Sequence, residues 1–106
     1  MTFTQEVLNG FEMIRRSAAL EIPATRPNYR AFVAVMPPLP EKGIFAWRVR
    51  KFEILEELMD TNFGEDDLVD SVFIRLGTIE EVEALIAEWG LDSAAFRAPW
   101  KVDYPL

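Results

Sequence analysis

The chain has 106 residues, half of them hydrophobic and 12% aromatic, and a formal net charge of −7. That length fits one domain, and the apolar share is well above that of chains which cannot offset the entropy of ordering. The chain contains neither histidine nor cysteine, which excludes Ser-His-Asp triads, Cys-His dyads, His-based nucleases, zinc sites of the usual kind and any disulfide framework.

Thr2 and Gln5 have the spacing of a capping box, and Phe3, Val7, Phe11, Ile14 and Ala18 recur at steps of three or four. This pattern predicts an N-terminal helix running to about Leu20. Gly10 weakens it by about 1 kcal/mol relative to alanine, so packing of the apolar stripe must hold it. Pro23 and Pro27 stop the pattern, because the residue before a proline disfavours the helical region. Tyr29 to Met36 reads as a strand with largely apolar faces on both sides. The run Pro37-Pro38-Leu39-Pro40-Glu41-Lys42-Gly43 is a stiff connector at which the chain turns back. Ile44 to Phe52 then alternates, with Phe45, Trp47 and Val49 against Ala46, Arg48 and Arg50. An antiparallel hairpin with one covered face and a basic outer edge is expected.

Residues 52–60 fit two periods: Phe52, Leu55, Leu58 and Met59 match a helix, and Ile54, Glu56 and Leu58 match a strand. A short helix is the expectation. Asp60 to Asp67 supplies turn formers and reads as an exposed loop. Val69 to Leu76 returns to a strand with Val72, Ile74 and Leu76 on its buried face. In the last helix, Thr78 and Glu81 make a capping box and Ile79, Val82, Leu85, Ile86 and Trp89 form one stripe. Gly90 stops it at the C′ position and Leu91 supplies the accompanying apolar contact. The closing Ala98-Pro99-Trp100-Lys101-Val102-Asp103-Tyr104-Pro105-Leu106 is aromatic and proline-rich, and is expected to pack back on the domain. The sum is a small single α+β domain spanning 1–106: an N-terminal helix, a mostly antiparallel three-stranded sheet and a C-terminal helix packed on one face.

Charge divides the chain. Residues 1–52 carry +4 and residues 53–106 carry −11, with Glu53, Glu56, Glu57, Asp60, Glu65, Asp66, Asp67 and Asp70 following one another without an intervening base. Such a field speeds encounter with a basic partner and repels phosphates and anionic membranes, so direct nucleic-acid or membrane binding is not expected. Leu58, Met59, Phe63, Leu68 and Val69 interrupt the acids, which separates this segment from a purely solvating tail. No apolar run approaches the roughly 20 residues of a membrane span, and the start lacks the order of a signal peptide, so a cytoplasmic address is expected.

No catalytic or cofactor motif emerges. The Asp60-Thr61-Asn62-Phe63-Gly64 run resembles a calcium loop, but positions six and twelve are Glu65 and Ser71 instead of Gly and Glu. Phosphate-binding glycine motifs are absent, and abundant acids make any carboxylate pair expected by chance. The expectation is a binding protein, not an enzyme, without cofactor or metal. Among the tryptophans, Trp47 and Trp89 fit core positions, and Trp100 is the candidate for partial exposure.

With its compact α+β pattern, acidic stretch Glu53 to Asp70, helix Thr78 to Trp89 and Pro-Trp tail, the chain resembles in type the small bacterial immunity proteins of contact-dependent growth inhibition and related polymorphic toxin systems. The resemblance implies binding and neutralising a cognate toxin domain, commonly a basic DNase or tRNA-cleaving RNase. The candidate toxin-binding residues are Glu56, Glu57, Asp60, Phe63, Glu65, Asp66, Asp67 and Asp70. Two alternatives stand beside it: a nucleic-acid mimic that inhibits a DNA-binding protein, and a structural subunit of a homo-oligomer joined through the basic hairpin and the acidic segment.

Overall fold

In the computed structural model, which describes residues 2–106, helix α1 spans Gln5–Ile14. Its cap is Thr4, whose hydroxyl accepts from the Val7 N–H at 3.3 Å, so the helix starts later than the Thr2 spacing predicts. It also ends earlier. Arg15 takes a left-handed φ of 55°, and the Arg16 N–H closes on the Gly10 carbonyl at 2.9 Å. Ala18 to Leu20, expected to close the helix, belong instead to strand β1 (Ala18–Ile22).

The reason is tertiary. β1 pairs antiparallel with β2 (Tyr29–Met36) from Ala18↔Val35 to Ile22↔Ala31, and its other side bridges Arg97. Ala18 and Ala19 are almost wholly buried between these neighbours, and that pairing outweighs the helical spacing of the apolar stripe. β3 (Trp47–Leu55) runs antiparallel to β2, and β4 (Leu68–Leu76) antiparallel to β3. The sheet therefore has four strands in the order β1-β2-β3-β4, not three.

The short helix expected over residues 52–60 does not form. β3 continues to Leu55 and gives way to a single 3₁₀ turn at Glu56–Leu58. Phe52 and Ile54 are fully buried against one face of the sheet, an arrangement that the two-residue period of a strand supplies and a helix would break. Helix α2 (Ile79–Glu88) forms as the sequence predicts, with the Thr78 hydroxyl accepting from the Glu81 N–H at 3.2 Å. At its end Gly90 has φ 75°, the Gly90 N–H reaches the Ala87 carbonyl at 2.9 Å and the Leu91 N–H reaches the Ile86 carbonyl at 3.0 Å. These two bonds are the Schellman pattern.

Both helices cover the same face of the sheet. Phe3, Val7 and Phe11 from the α1 segment and Val82 and Ile86 from α2 pack on Ala18, Val33, Val35 and Val49, with Phe96 closing the layer. Phe3 meets Phe11 and Phe96 edge-on at 5.3 and 5.5 Å, and Phe11 meets Trp47 at 5.2 Å. The opposite face carries a second, smaller core of Phe32, Phe52, Ile54 and Leu68. Among the described residues no α-helix covers it: Leu58, Met59 and Phe63 from the β3–β4 connection and Tyr104 from the tail do so. Tyr104 stands 5.8 Å from both the Phe32 and Phe52 rings, as the sequence expectation of a tail packed on the domain requires. Among the described residues no helix is long and apolar enough to cross a membrane.

Glu53, the first of the eight clustered acids, is a structural residue. It is 7% exposed, accepts the Thr25 hydroxyl at 2.7 Å and the Thr25 N–H at 3.2 Å, and lies 3.5 Å from the Arg26 guanidinium. Burial pushes its carboxyl pKa up, but the Thr25 donors and the Arg26 charge outweigh this and hold it below the usual value. A carboxyl with a depressed folded pKa contributes stability that is complete above its unfolded pKa and is lost as pH falls through the folded one. Glu53→Ala should therefore cost about 2–3 kcal/mol in urea denaturation at pH 7 and show a smaller loss of stability on acidification. Glu57→Ala, at an exposed position, should change stability by less than about 0.5 kcal/mol.

Candidate functional site

The eight predicted residues do not form one face. Asp70 is spent within the fold: it has φ 55° at an irregularity where β4 sets two residues opposite Phe52, and it accepts from Arg26 at 2.9 Å. Asp67 accepts the Gly64 N–H at 2.8 Å and so closes the 3₁₀ turn Glu65–Asp67 on itself. Glu65 pairs with Arg50, which holds its carboxyl below the usual range. Phe63 is half-buried in the second core, where its side chain helps to cover the face. Glu56, Glu57, Asp60 and Asp66 are exposed, and among the described residues their side chains make no hydrogen bond or ion pair within the chain.

Three of these four stand together at one end of the sheet. The Glu56 N–H binds the Asn28 carbonyl at 2.9 Å, and the following turn is closed by the Met59 N–H on the Glu56 carbonyl at 3.1 Å. The Thr61 N–H and hydroxyl then both reach the Leu58 carbonyl, at 3.0 and 2.6 Å. Glu56, Glu57 and Asp60 are thus carried on a short, fastened turn whose apolar members, Leu58 and Met59, pack downward. Such a platform fixes charge without long flexible loops.

The tail supplies the other wall. Glu56, Met59 and Asp60 line an open cleft of about 540 Å³ together with Trp100, Asp103, Tyr104, Pro105 and Arg30. Glu56 also borders a neighbouring cleft of about 380 Å³ with Asn28, Leu55 and Glu57. Arg30 is not a free cation. It donates to both oxygens of Glu21 at 2.8 and 2.6 Å and approaches Asp103 at 3.4 Å. These bonds hold the Glu21 carboxyl below the usual range and push the Arg30 pKa up. Glu56 and Asp60 therefore retain uncompensated charge beside a cation already committed elsewhere.

Trp100 is 65% exposed at the rim, and the Arg16 guanidinium stacks on it at 5.2 Å. Arg16 in turn lies against the backbone of Gly10, where an added Cβ would fall 2.9 Å from its terminal nitrogen. The glycine that weakens α1 leaves room for the cation that braces Trp100. Lys101, which ties the same tail turn to Glu6 at 3.0 Å, faces away from the cleft lining. Among the described residues no cluster of three or more Asp or Glu is arranged to hold a metal ion.

Sequence reasoning identified Glu56, Glu57 and Asp60 but not Asp103, Tyr104 or Arg30 as their neighbours. Asp103 lies outside the acidic run, and only the return of the tail across the second sheet face brings it to the cleft. Comparisons with protein-family models, with curated proteins and with solved structures found no match.

Burial pushes the Tyr104 phenol up to about 12. A folded pKa above the unfolded one means that the folded chain holds its proton while the unfolded chain loses it, so stability is complete below about pH 10 and falls as pH rises towards 12. Tyr104→Phe should leave stability at pH 7 nearly unchanged and flatten the alkaline decline, as measured by urea denaturation across that range.

Proposed function

We propose that the protein is an immunity protein that binds and neutralises a basic toxin domain, most readily a nuclease, through the acidic cleft at the Glu56–Asp60 turn. The observation that carries this reading is the pairing of uncompensated carboxylates with an exposed tryptophan around one open cleft. A nuclease presents lysine and arginine to phosphate. Carboxylates held on a fastened turn attract those side chains at long range and compete with nucleic acid for them. Trp100 offers a rigid aromatic surface on which an arginine can stack.

Glu56, Glu57 and Asp60 are the contacts favoured here, with Asp66 adding to the field and Asp103, already shared with Arg30 at 3.4 Å, beside them. Glu65, Asp67 and Asp70 already have partners inside the fold, so the contact centres on a smaller set than the acidic run as a whole. A nucleic-acid mimic gains no support from this arrangement, since the arginines that neutralise Glu65 and Asp70 interrupt any phosphate-like row.

The test is to ask whether the neighbouring upstream gene encodes a large secreted protein and, where it does, to co-express its C-terminal domain with this chain. The unaltered chain should restore growth and bind that domain with an association rate that falls as salt rises. The combined change Glu56→Lys, Glu57→Lys and Asp60→Lys should weaken binding by about 100-fold and abolish protection without unfolding the chain. Protection that survives the triple reversal would remove the cleft as the site, and failure of the unaltered chain to protect would remove the immunity reading.

A further inference from the structure

The two edges of the sheet are treated differently. The outer side of β1 is closed by Arg97, whose N–H and carbonyl exchange bonds of 2.9 and 2.8 Å with Ala19. β4 is the other edge, and among the described residues its only strand neighbour is β3. Open edges are templates for further pairing, and proteins blunt them with bulges, prolines or charge. Here the irregularity at Asp70–Ser71 disrupts only the first part of β4. Val72-Phe73-Ile74-Arg75-Leu76 remains a regular strand of β-branched and apolar residues with a single charge.

Two features mark that stretch, and they touch: the Arg75 guanidinium lies 5.1 Å from the centre of the Phe73 ring. Phe73 is 49% exposed on the face away from the helices. Arg75 stands directly opposite Arg48 in the β3–β4 register, a like-charge pair that destabilises a ladder. Neither arginine has an ion-pair partner among the described residues. Arg48 donates to the Pro37 carbonyl at 2.8 Å, but its Nε is buried without a partner.

We infer that β4 pairs with β4 of a second copy about a two-fold axis at Phe73, extending the sheet across the dimer. An antiparallel strand centred on Phe73 is self-complementary: the two Phe73 side chains meet on the open face, and Val72 of each copy opposes Ile74 of the other on the helix-covered face. The same register places Arg75 opposite Ser71 of the second copy, whose preceding turn carries Glu65 and Asp66. Asp66 of the second copy, which has no ion-pair partner among the described residues of its own chain, thereby approaches the Arg48–Arg75 pair, while Glu65 stays with Arg50. A two-residue shift in either direction keeps the faces matched but moves Phe73 off the axis and parts the two rings.

The absence of native cysteine makes a direct test available. Residues directly opposite in an antiparallel pair have Cβ atoms roughly 4.5–5.5 Å apart, close to what a disulfide spans. A Phe73→Cys variant under mild oxidation should form a covalent dimer at least about tenfold faster than Phe45→Cys, because the axis holds its two thiols together. Phe45 is more exposed, at 72%, but lies outside the strands. Adding Arg75→Glu to Phe73→Cys should slow the crosslink severalfold, although that change relieves the repulsion within each chain. Equal rates for the two cysteine variants would overturn the contact. Sedimentation of the unaltered chain gives an answer free of substitutions: a mass rising from 12.2 kDa towards twice that value with concentration supports the dimer, and a constant 12.2 kDa contradicts it.

Discussion

Phe32 and Phe52 lie on the side of the sheet that no helix covers, and keeping water from them is the constraint on which the rest of the molecule depends. β2 is largely apolar on both faces. One face is served by α1 and α2, whose apolar stripes meet Val33, Val35 and Val49. Among the described residues, the other face is covered by the β3–β4 connection and by Tyr104. Burial of an aromatic side chain stabilises by about 1.5–3 kcal/mol, so a tyrosine two residues from the C-terminus is held as firmly as many core positions.

That solution also makes the site. To cover Phe32 and Phe52, Met59 and Phe63 must fold inward on one side and Tyr104 on the other, and the polar residues between them are left facing outward across the gap. Glu56, Asp60 and Asp103 stand where they do because their apolar neighbours are anchored. Arg30 is threaded beneath them, with its guanidinium 5.4 Å from the Phe32 ring and its donors satisfied by Glu21. The cleft is thus a by-product of closing the second core, and its acidity follows from which residues were free to point away from it.

Alternation made β2, the middle of β3, and β4 legible in the sequence, and the capping residues did the same for α2. β1 was hidden because Phe3, Val7, Phe11, Ile14 and Ala18 keep helical spacing across a break. That break occurs at Arg15, which takes a left-handed conformation without the glycine that usually marks it. The end of β3 was hidden for a related reason. Phe52, Leu55 and Leu58 fit a helix locally, while the decisive partner of Glu53 is Thr25, 28 residues away. At the site the acidic run gave Glu56, Glu57 and Asp60. Composition alone could not separate them from Glu65, Asp67 and Asp70, because what distinguishes the two groups is the position of Arg50, Gly64 and Arg26.

The role of the tail as part of the core is tested most directly by the stability of Tyr104→Ala against that of Trp100→Ala in urea denaturation. A side chain that closes the second core should cost about 2–4 kcal/mol when truncated, whereas the rim tryptophan, held by one stacked arginine, should cost less than about 1 kcal/mol. A Tyr104→Ala loss no larger than that of Trp100→Ala would contradict the account, since the cleft would then lack the wall that brings Asp103 to Glu56 and Asp60.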